Sequence, residues 1–192
     1  MKPILMLILS LFLLSPIARA QTDAAPANPL DPLTPLLGSW VVPPEHVEAR
    51  PELAGRIMHH YARSVGPHAY RIREGLEAGK DSDAEFEGLI YWDPATERIE
   101  FVGVAGPGPG EGRFFRGEYR VHEDGRIERV YDVFYRTLAD MPGEEHGGSR
   151  RRYREIYTVE GSRLHSTLDW WWDGGWKPFG PGEYELVRGE EP

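Results

Sequence analysis

The sequence predicts an all-β protein, an up-and-down antiparallel β-barrel of nine or ten strands with at most one short helix. Runs of β-branched and aromatic residues recur from residue 55 to residue 188 and alternate with turn signals. Asp124-Gly125 and Asp173-Gly174 favour tight hairpins, because both central residues of a type I′ turn need a positive φ. A long meander loses its exposed edges when it closes on itself, so a barrel is favoured over a two-sheet β-sandwich.

The clearest hairpin signal lies between Glu85 and Val104. Asp93-Pro94-Ala95-Thr96 is typical of a turn, since Asp can hydrogen-bond forward and Pro presets φ at the second position. On the return strand, Ile99, Phe101 and Gly103 alternate with charged neighbours, which indicates one dry and one wet face.

An opening strand, nine further strands and one helix follow from the same pattern. After a short opening strand within 36–42, the strands are expected at about 55–64, 68–77, 85–92, 97–104, 113–121, 126–136, 150–159, 162–172 and 182–188. A helix of one or two turns fits 43–50, because Pro is accepted in a first helical turn, and Pro51 ends it.

Residues 1–20 have the pattern of a secretory signal peptide. Lys2 gives a basic start, an apolar run follows, and Ala18-Arg19-Ala20 is a small-x-small cleavage site. The apolar run is shorter than the about 20 residues that a permanent membrane helix needs. We therefore expect export to the periplasm or beyond the cell, and no membrane insertion after cleavage.

The mature chain divides into three parts. Residues 21–35 are rich in Pro and poor in apolar residues, which predicts a flexible arm. Residues 36–188 suit a single β-barrel domain, and 189–192 form a tail.

Composition narrows the range of partners. The chain has 31 acidic and 22 basic residues and a net charge of −9, so nucleic acid is not an expected partner. The absence of cysteine excludes disulfides and thiolate catalysis. The oligomeric state is left open.

The opening strand resembles that of the calycin group, which comprises lipocalins, fatty-acid-binding proteins and nitrobindin-like barrels. Gly38-Ser39-Trp40 matches their Gly-x-Trp motif, and the hairpin from Phe86 to Arg98 is similar to hairpins of secreted bacterial lipocalin-like proteins. The resemblance implies that Trp40 closes one barrel end and that Arg188, on the last strand, packs over it. Gly38, Trp40 and Arg188 are accordingly assigned structural roles.

The resemblance also implies a small-molecule ligand that is mostly apolar and carries an anionic head. Fatty-acid-binding barrels recognise a carboxylate with buried Arg and Tyr, and aromatic rings at a barrel mouth bind apolar molecules. The predicted ligand-binding residues are Arg71, Arg73, Tyr135, Arg152, Arg154, Trp170 and Trp172. The alternative for Arg152 and Arg154 is a solvated strand face paired with Glu128 or Asp132 on a neighbouring strand.

Two other functions stay open beside the binding protein. An isomerase- or lyase-type enzyme in the same barrel would use His165, Asp169 and Glu118 for proton transfer. A protein-interaction or inhibitor module would dock through the hairpin 170–176. A binding protein is favoured over an enzyme, because no nucleophile or acid–base motif accompanies these residues.

No metal or other cofactor is predicted. His59 and His60 are neighbours on one strand and point to opposite faces, so both cannot enter one cavity. Nitrobindin-like proteins bind haem through a histidine near the C-terminal end of the barrel. This chain has no histidine between Leu186 and Pro192, which counts against haem.

Overall fold

The structure, a computed structural model, is a closed antiparallel barrel of ten strands. It describes residues 28–47, 51–54, 56–77, 84–106, 112–135 and 150–190. The strands are β1 (Gly38–Val41), β2 (Arg56–Arg63), β3 (Ala69–Glu77), β4 (Phe86–Asp93), β5 (Arg98–Ala105), β6 (Arg113–Val121), β7 (Ile127–Tyr135), β8 (Arg150–Glu160), β9 (Arg163–Trp172) and β10 (Gly175–Arg188). Each strand pairs with its sequence neighbours, and β1 pairs with β10 to close the barrel. The predicted fold class is therefore confirmed.

The helices are short. The single α-helix of the described residues, α1, spans Pro44–Val47 and lies where the sequence predicts a helix. Three 3₁₀ helices span Asp31–Leu36, Pro51–Leu53 and Gly66–His68. The first of them is a difference from the flexible arm expected at 21–35, whose residues 21–27 lie outside the described part of the chain.

The first 3₁₀ helix closes the end of the barrel at which β1 begins. Leu30, Leu33 and Leu36 are each 0% exposed and belong to the barrel's hydrophobic core. Trp40 is also fully buried, and its indole N–H donates to the Leu36 carbonyl oxygen at 2.8 Å. Burial of leucines every third residue gives this proline-rich segment enough apolar contact to order it.

Arg188 joins the last strand to this closed end. Its guanidinium carbon lies 4.0 Å from the centroid of the Trp40 ring, within cation–π range. The same guanidinium donates to the carbonyl oxygens of Leu37 and Pro35, the latter at 2.7 Å.

The opposite end of the barrel is its mouth. Strands β1, β3, β5, β7 and β9 end there. The connections at the closed end are short, at 64–68, 94–97, 122–126 and 161–162.

Strand β10 starts earlier than predicted, at Gly175 instead of residue 182. Its first part pairs with β9 from Gly175 to Pro178, and its second part pairs from Glu183 onward. The register shifts between them, and Gly180 and Gly182 both have positive φ in this irregular stretch. In a sequence, Pro and Gly predict the end of a strand. Here they form a bulge within β10.

Gly117 on β6 lies opposite Tyr131 on β7, and we expect that this position accepts no side chain. A methyl group added at Gly117 would meet the Val130 carbonyl oxygen and lie 2.6 Å from the Tyr131 Cα. Gly117→Ala should lower the free energy of unfolding by about 1–3 kcal/mol, measured by chemical denaturation. Gly112→Ala is the control, because a methyl group there meets nothing within 4 Å. Equal stability of the two variants would contradict this account.

Candidate functional site: the barrel lumen and its mouth

Aromatic rings in successive contact line the mouth half of the lumen. We call them the aromatic belt: Phe86, Phe101, Phe115, Tyr131, Tyr153, Phe179, Trp170 and Trp172. Neighbouring rings in this chain have centroids 4.6–6.0 Å apart, and Trp170 and Trp172 stack at 4.6 Å. Alternation along each strand places these residues on the inner face.

The barrel interior is sealed at one end and less completely buried at the mouth. Trp40, Tyr70 and Leu164 at the closed end are 0% exposed. In contrast, the side chains of Phe115, Phe179, Trp170 and Trp172 in the belt are only partly buried. Inward-facing rings that keep contact with solvent mark the space that a guest molecule can fill.

A group of charged side chains lies inside the barrel next to the belt. Arg129 on β7 is 3% exposed, and it donates to Glu74 Oε1 at 3.1 Å and to Glu155 Oε2 at 2.7 Å. Glu74 is on β3, so this contact crosses the lumen between strands that are not neighbours. The Arg129 guanidinium carbon also lies 4.9 Å from the Tyr131 ring centroid and 5.3 Å from that of Phe101.

Two tyrosines and a histidine complete this group, which we call the polar cluster: His59, Glu74, Arg129, Tyr131, Glu155 and Tyr157. The hydroxyl groups of Tyr131 and Tyr157 both donate to Glu155, the former at 2.9 Å. Glu155 therefore has a full set of donors, as a buried carboxylate requires.

His59 lies between Glu74 and Tyr184. Its Nδ1 is 3.3 Å from Glu74 Oε1, and its Nε2 is 3.3 Å from the Tyr184 hydroxyl. The Nδ1 contact is of ion-pair length but is not aligned as a hydrogen bond. His60 alternates to the other face, where its Nδ1 lies 3.0 Å from Ser39 Oγ. The sequence prediction that the two histidines cannot share a cavity agrees with these contacts.

The cluster controls the ionisation of Glu74. Burial alone would raise the pKa of Glu74, but the charges of Arg129 and His59 and the hydrogen bond from Arg129 lower it from 4.5 to about 2. Burial likewise raises the pKa of Tyr119, which lies opposite Arg129 in the register, to about 12. At neutral pH, Glu74 is therefore an anion and Tyr119 a neutral hydroxyl group.

Acid should destabilise the barrel through Glu74. A folded-state pKa below the unfolded value gives stability that is present above pH 4.5 and is lost as the pH falls through about 2. We expect the free energy of unfolding to fall by up to about 3 kcal/mol between pH 5 and pH 2 from this group. Glu74→Gln should show a smaller acid dependence in denaturation curves, and exposed Glu123→Gln should match the wild type. The same slope in all three proteins would refute the assignment.

A cleft opens at the mouth where β8 and β9 separate. Their pairing ends at Tyr153 and Trp170, although each strand continues toward the mouth beyond that pair. The cleft has a volume of about 690 Å³ and is lined by Asp132, Arg150, Arg151, Arg152, Trp171, Trp172 and Asp173. Trp172 stacks on Trp170, so the cleft adjoins the aromatic belt.

The cleft combines positive charge with indole rings. Arg150 donates to Asp132 Oδ2 at 2.7 Å, which raises the pKa of this already cationic guanidinium further. Arg151 is 7% exposed and points inward, and its Nη1 donates to the Arg150 carbonyl oxygen. Three arginines against two aspartates leave the lining with a net charge of +1 on a chain whose total is −9.

The predicted ligand-binding residues divide between the mouth and the outer wall. Arg152 and Trp172 line the cleft, Trp170 lies in the belt, and the Tyr135 hydroxyl is 2.9 Å from that of Tyr153 in the lumen. Arg152 points outward from β8, opposite Asp132. The remaining three residues also lie on the outer face: Arg71, which pairs with Glu87 at 2.7 Å, Arg73, which lies 4.0 Å from Glu87, and Arg154, which pairs with Asp169 at 2.6 Å. Arg154 also covers the Trp176 ring at 4.8 Å.

The structure does not bring the predicted catalytic residues together. His165 Nδ1 lies 3.3 Å from Glu185, Asp169 accepts from Arg154, and Glu118 accepts from Arg98 at 3.1 Å. All three alternate to the outer face of their strands, because Ser166 and Tyr119, their neighbours in sequence, face inward and are buried.

Sequence reasoning missed the polar cluster. A signal was present: Arg129 lies between Ile127 and Tyr131, and Glu155 lies between Tyr153 and Tyr157, on the apolar face of each alternation. A charge on an inward face needs a buried partner on another strand. The period-2 pattern of one strand does not show which residue that partner is.

Comparison with known proteins gave no match, either to family models, to curated sequences or to solved structures. The closed ten-strand barrel is consistent with a calycin-like fold. Among the described residues, no helix combines the length and apolar composition needed to cross a membrane. The same part of the chain brings no three metal-ligating side chains together as a metal site.

Proposed function

We propose that this chain is an exported, calycin-like barrel that binds a small aromatic or apolar molecule with an anionic group. The observation that carries the proposal is the partly exposed aromatic belt at the mouth of a barrel whose other end is sealed. Such a lumen offers apolar contact area to a guest that enters from one side only.

The anionic group would bind at the rim and not deep in the lumen. Arg129 is already paired with two carboxylates, so a buried anion would add to an existing excess of negative charge. The residues that line the cleft at Arg150–Arg152 instead carry a net positive charge. Guanidinium groups bind carboxylate or sulfate through paired hydrogen bonds. Because Trp172 belongs to both cleft and belt, one molecule can contact both regions.

Export supports the same function. The signal-like residues 1–20 direct the mature chain to the periplasm or medium, where a carrier or scavenger of small molecules acts. Cell fractionation should recover the chain outside the cytoplasm with Gln21 at its N-terminus.

Calorimetric titration with 4-phenylbutanoate tests the binding site, since this probe joins an aromatic ring to a carboxylate. Trp170→Ala should remove the ring contact and Arg152→Met the charge, each weakening binding at least about tenfold. Arg71→Met on the outer wall is the matched control and should bind as the wild type does. If the wild type shows no saturable binding at probe concentrations up to about 1 mM, the proposal is overturned.

A second candidate function is proton transfer in the same lumen. The specific observation in its favour is that His59 lies 3.3 Å from the carboxylate of Glu74 on the inner face of the barrel.

A further inference from the structure

Several buried polar atoms around His59 lack an aligned hydrogen-bond partner among the described residues. They are the hydroxyl oxygens of Tyr61 and Tyr119, Ser166 Oγ, Arg129 Nε and His59 Nδ1. Each of these side chains is more than nine-tenths buried. The two tyrosine hydroxyls interact with each other, yet without the alignment of a hydrogen bond. Native interiors leave few such groups unsatisfied, so this concentration points to a polar guest in the lumen.

The polar cluster favours a guest from which a proton is taken. Arg129, Glu74 and Glu155 together carry a net charge of −1, and a proton on His59 brings the cluster to zero. Glu74 lies at Nδ1 and would stabilise the imidazolium, and a guest would have to replace the Tyr184 hydroxyl, 3.3 Å away, as the partner of Nε2.

Two side chains beside His59 are not fully buried. Glu74 points inward and contacts Arg129 across the barrel, yet its side chain is 25% exposed. Tyr184, beside His59 Nε2, is also only partly buried. Both side chains therefore keep some contact with solvent.

We propose that the polar cluster is a catalytic site in which His59 removes a proton from a carbon next to a carbonyl group. This rests on the proposed function, because the substrate enters through the same mouth. Nε2 takes the proton, the C–H electron pair forms a carbon–carbon double bond, and the carbonyl π pair moves to oxygen. The hydroxyl groups of Tyr61 and Tyr119 and the Arg129 Nε–H are the donors available to that oxygen. The proton, or a deuteron from solvent, returns to the same carbon as the carbonyl group re-forms, so the reaction needs no oxidant or second substrate.

Deuterium exchange tests this without knowledge of the natural substrate. The probe is 4-oxo-4-phenylbutanoate in D₂O, with incorporation at the carbon next to the ketone followed by NMR. The wild type should exchange at least about 100-fold faster than His59→Gln. Imidazole added to His59→Ala should restore part of the rate, which a purely structural histidine would not allow. Tyr119→Phe, which keeps the ring and removes only the hydroxyl, should slow exchange about tenfold or more.

His165→Gln is the control, since His165 lies on the outer face and should leave the rate unchanged. Calorimetry with 4-phenylbutanoate, which lacks the ketone, measures binding separately. Binding of that probe without accelerated exchange overturns the catalytic inference and leaves the proposed function intact. Absence of both overturns both, and exchange by His59→Gln at the wild-type rate removes His59 from the mechanism. Thermal unfolding of each variant verifies that it is folded.

Discussion

Arg129→Met is expected to lower the free energy of unfolding by about 3–5 kcal/mol. Arg129 is the cation between Glu74 and Glu155, and its removal leaves two carboxylates near each other inside the barrel. Methionine fills much of the same volume, so the loss reports on charge and hydrogen bonding more than on packing. Denaturant unfolding at pH 7 is the measurement.

The pH dependence of Arg129→Met separates the charge effect from a general loss of packing. Without the cation, the two carboxyl groups favour their protonated forms in the folded state, so the variant should gain stability as the pH falls from 7 to 5. Arg98→Met is the control, because Arg98 is 62% exposed and its pairing with Glu118 should contribute less than about 1 kcal/mol. A loss that is independent of pH, or no larger than that of Arg98→Met, would contradict the role of Arg129.

Trp40→Ala should cost about 3–5 kcal/mol of folding free energy. The ring is fully buried at the closed end, its N–H satisfies the Leu36 carbonyl, and Arg188 covers its face. The truncation leaves a cavity and removes the ring contact that holds the first 3₁₀ helix to the barrel. Urea denaturation gives the size of the loss.

Trp171→Ala is the matched control for Trp40→Ala. Trp171 is 46% exposed at the mouth and contacts the Trp176 ring at 5.3 Å, so its loss should cost about 1 kcal/mol or less. If the two substitutions have equal effects, Trp40 does not close the barrel end in the way described above.

The boundaries of β2 to β9 were predictable from sequence within one residue. The signals used were turn residues such as Asp93 and Gly125 and the alternation along each strand, and both depend only on a short stretch of sequence. An antiparallel hairpin requires little more. Segment 30–36 was not predictable in the same way. Its prolines suggest disorder, and only burial of its leucines against the barrel end orders it.

The candidate site was predictable in part. Arg152, Trp170 and Trp172 were expected to meet a ligand and do lie at the mouth, whereas Arg71 and Arg154 belong to ion pairs on the outer wall. If the register of a strand is shifted by one residue, its inward-facing and outward-facing side chains exchange places. Composition alone does not determine which set faces inward.

The sequence by itself therefore determined an all-β meander and its turns, because these depend on neighbours in the chain. Only the tertiary structure decided which charges meet. Arg129 and Glu74 are 55 residues apart in sequence and 3.1 Å apart across the lumen. Barrel closure brings β3 and β7 to face each other, and a low-dielectric interior then requires that their charges pair.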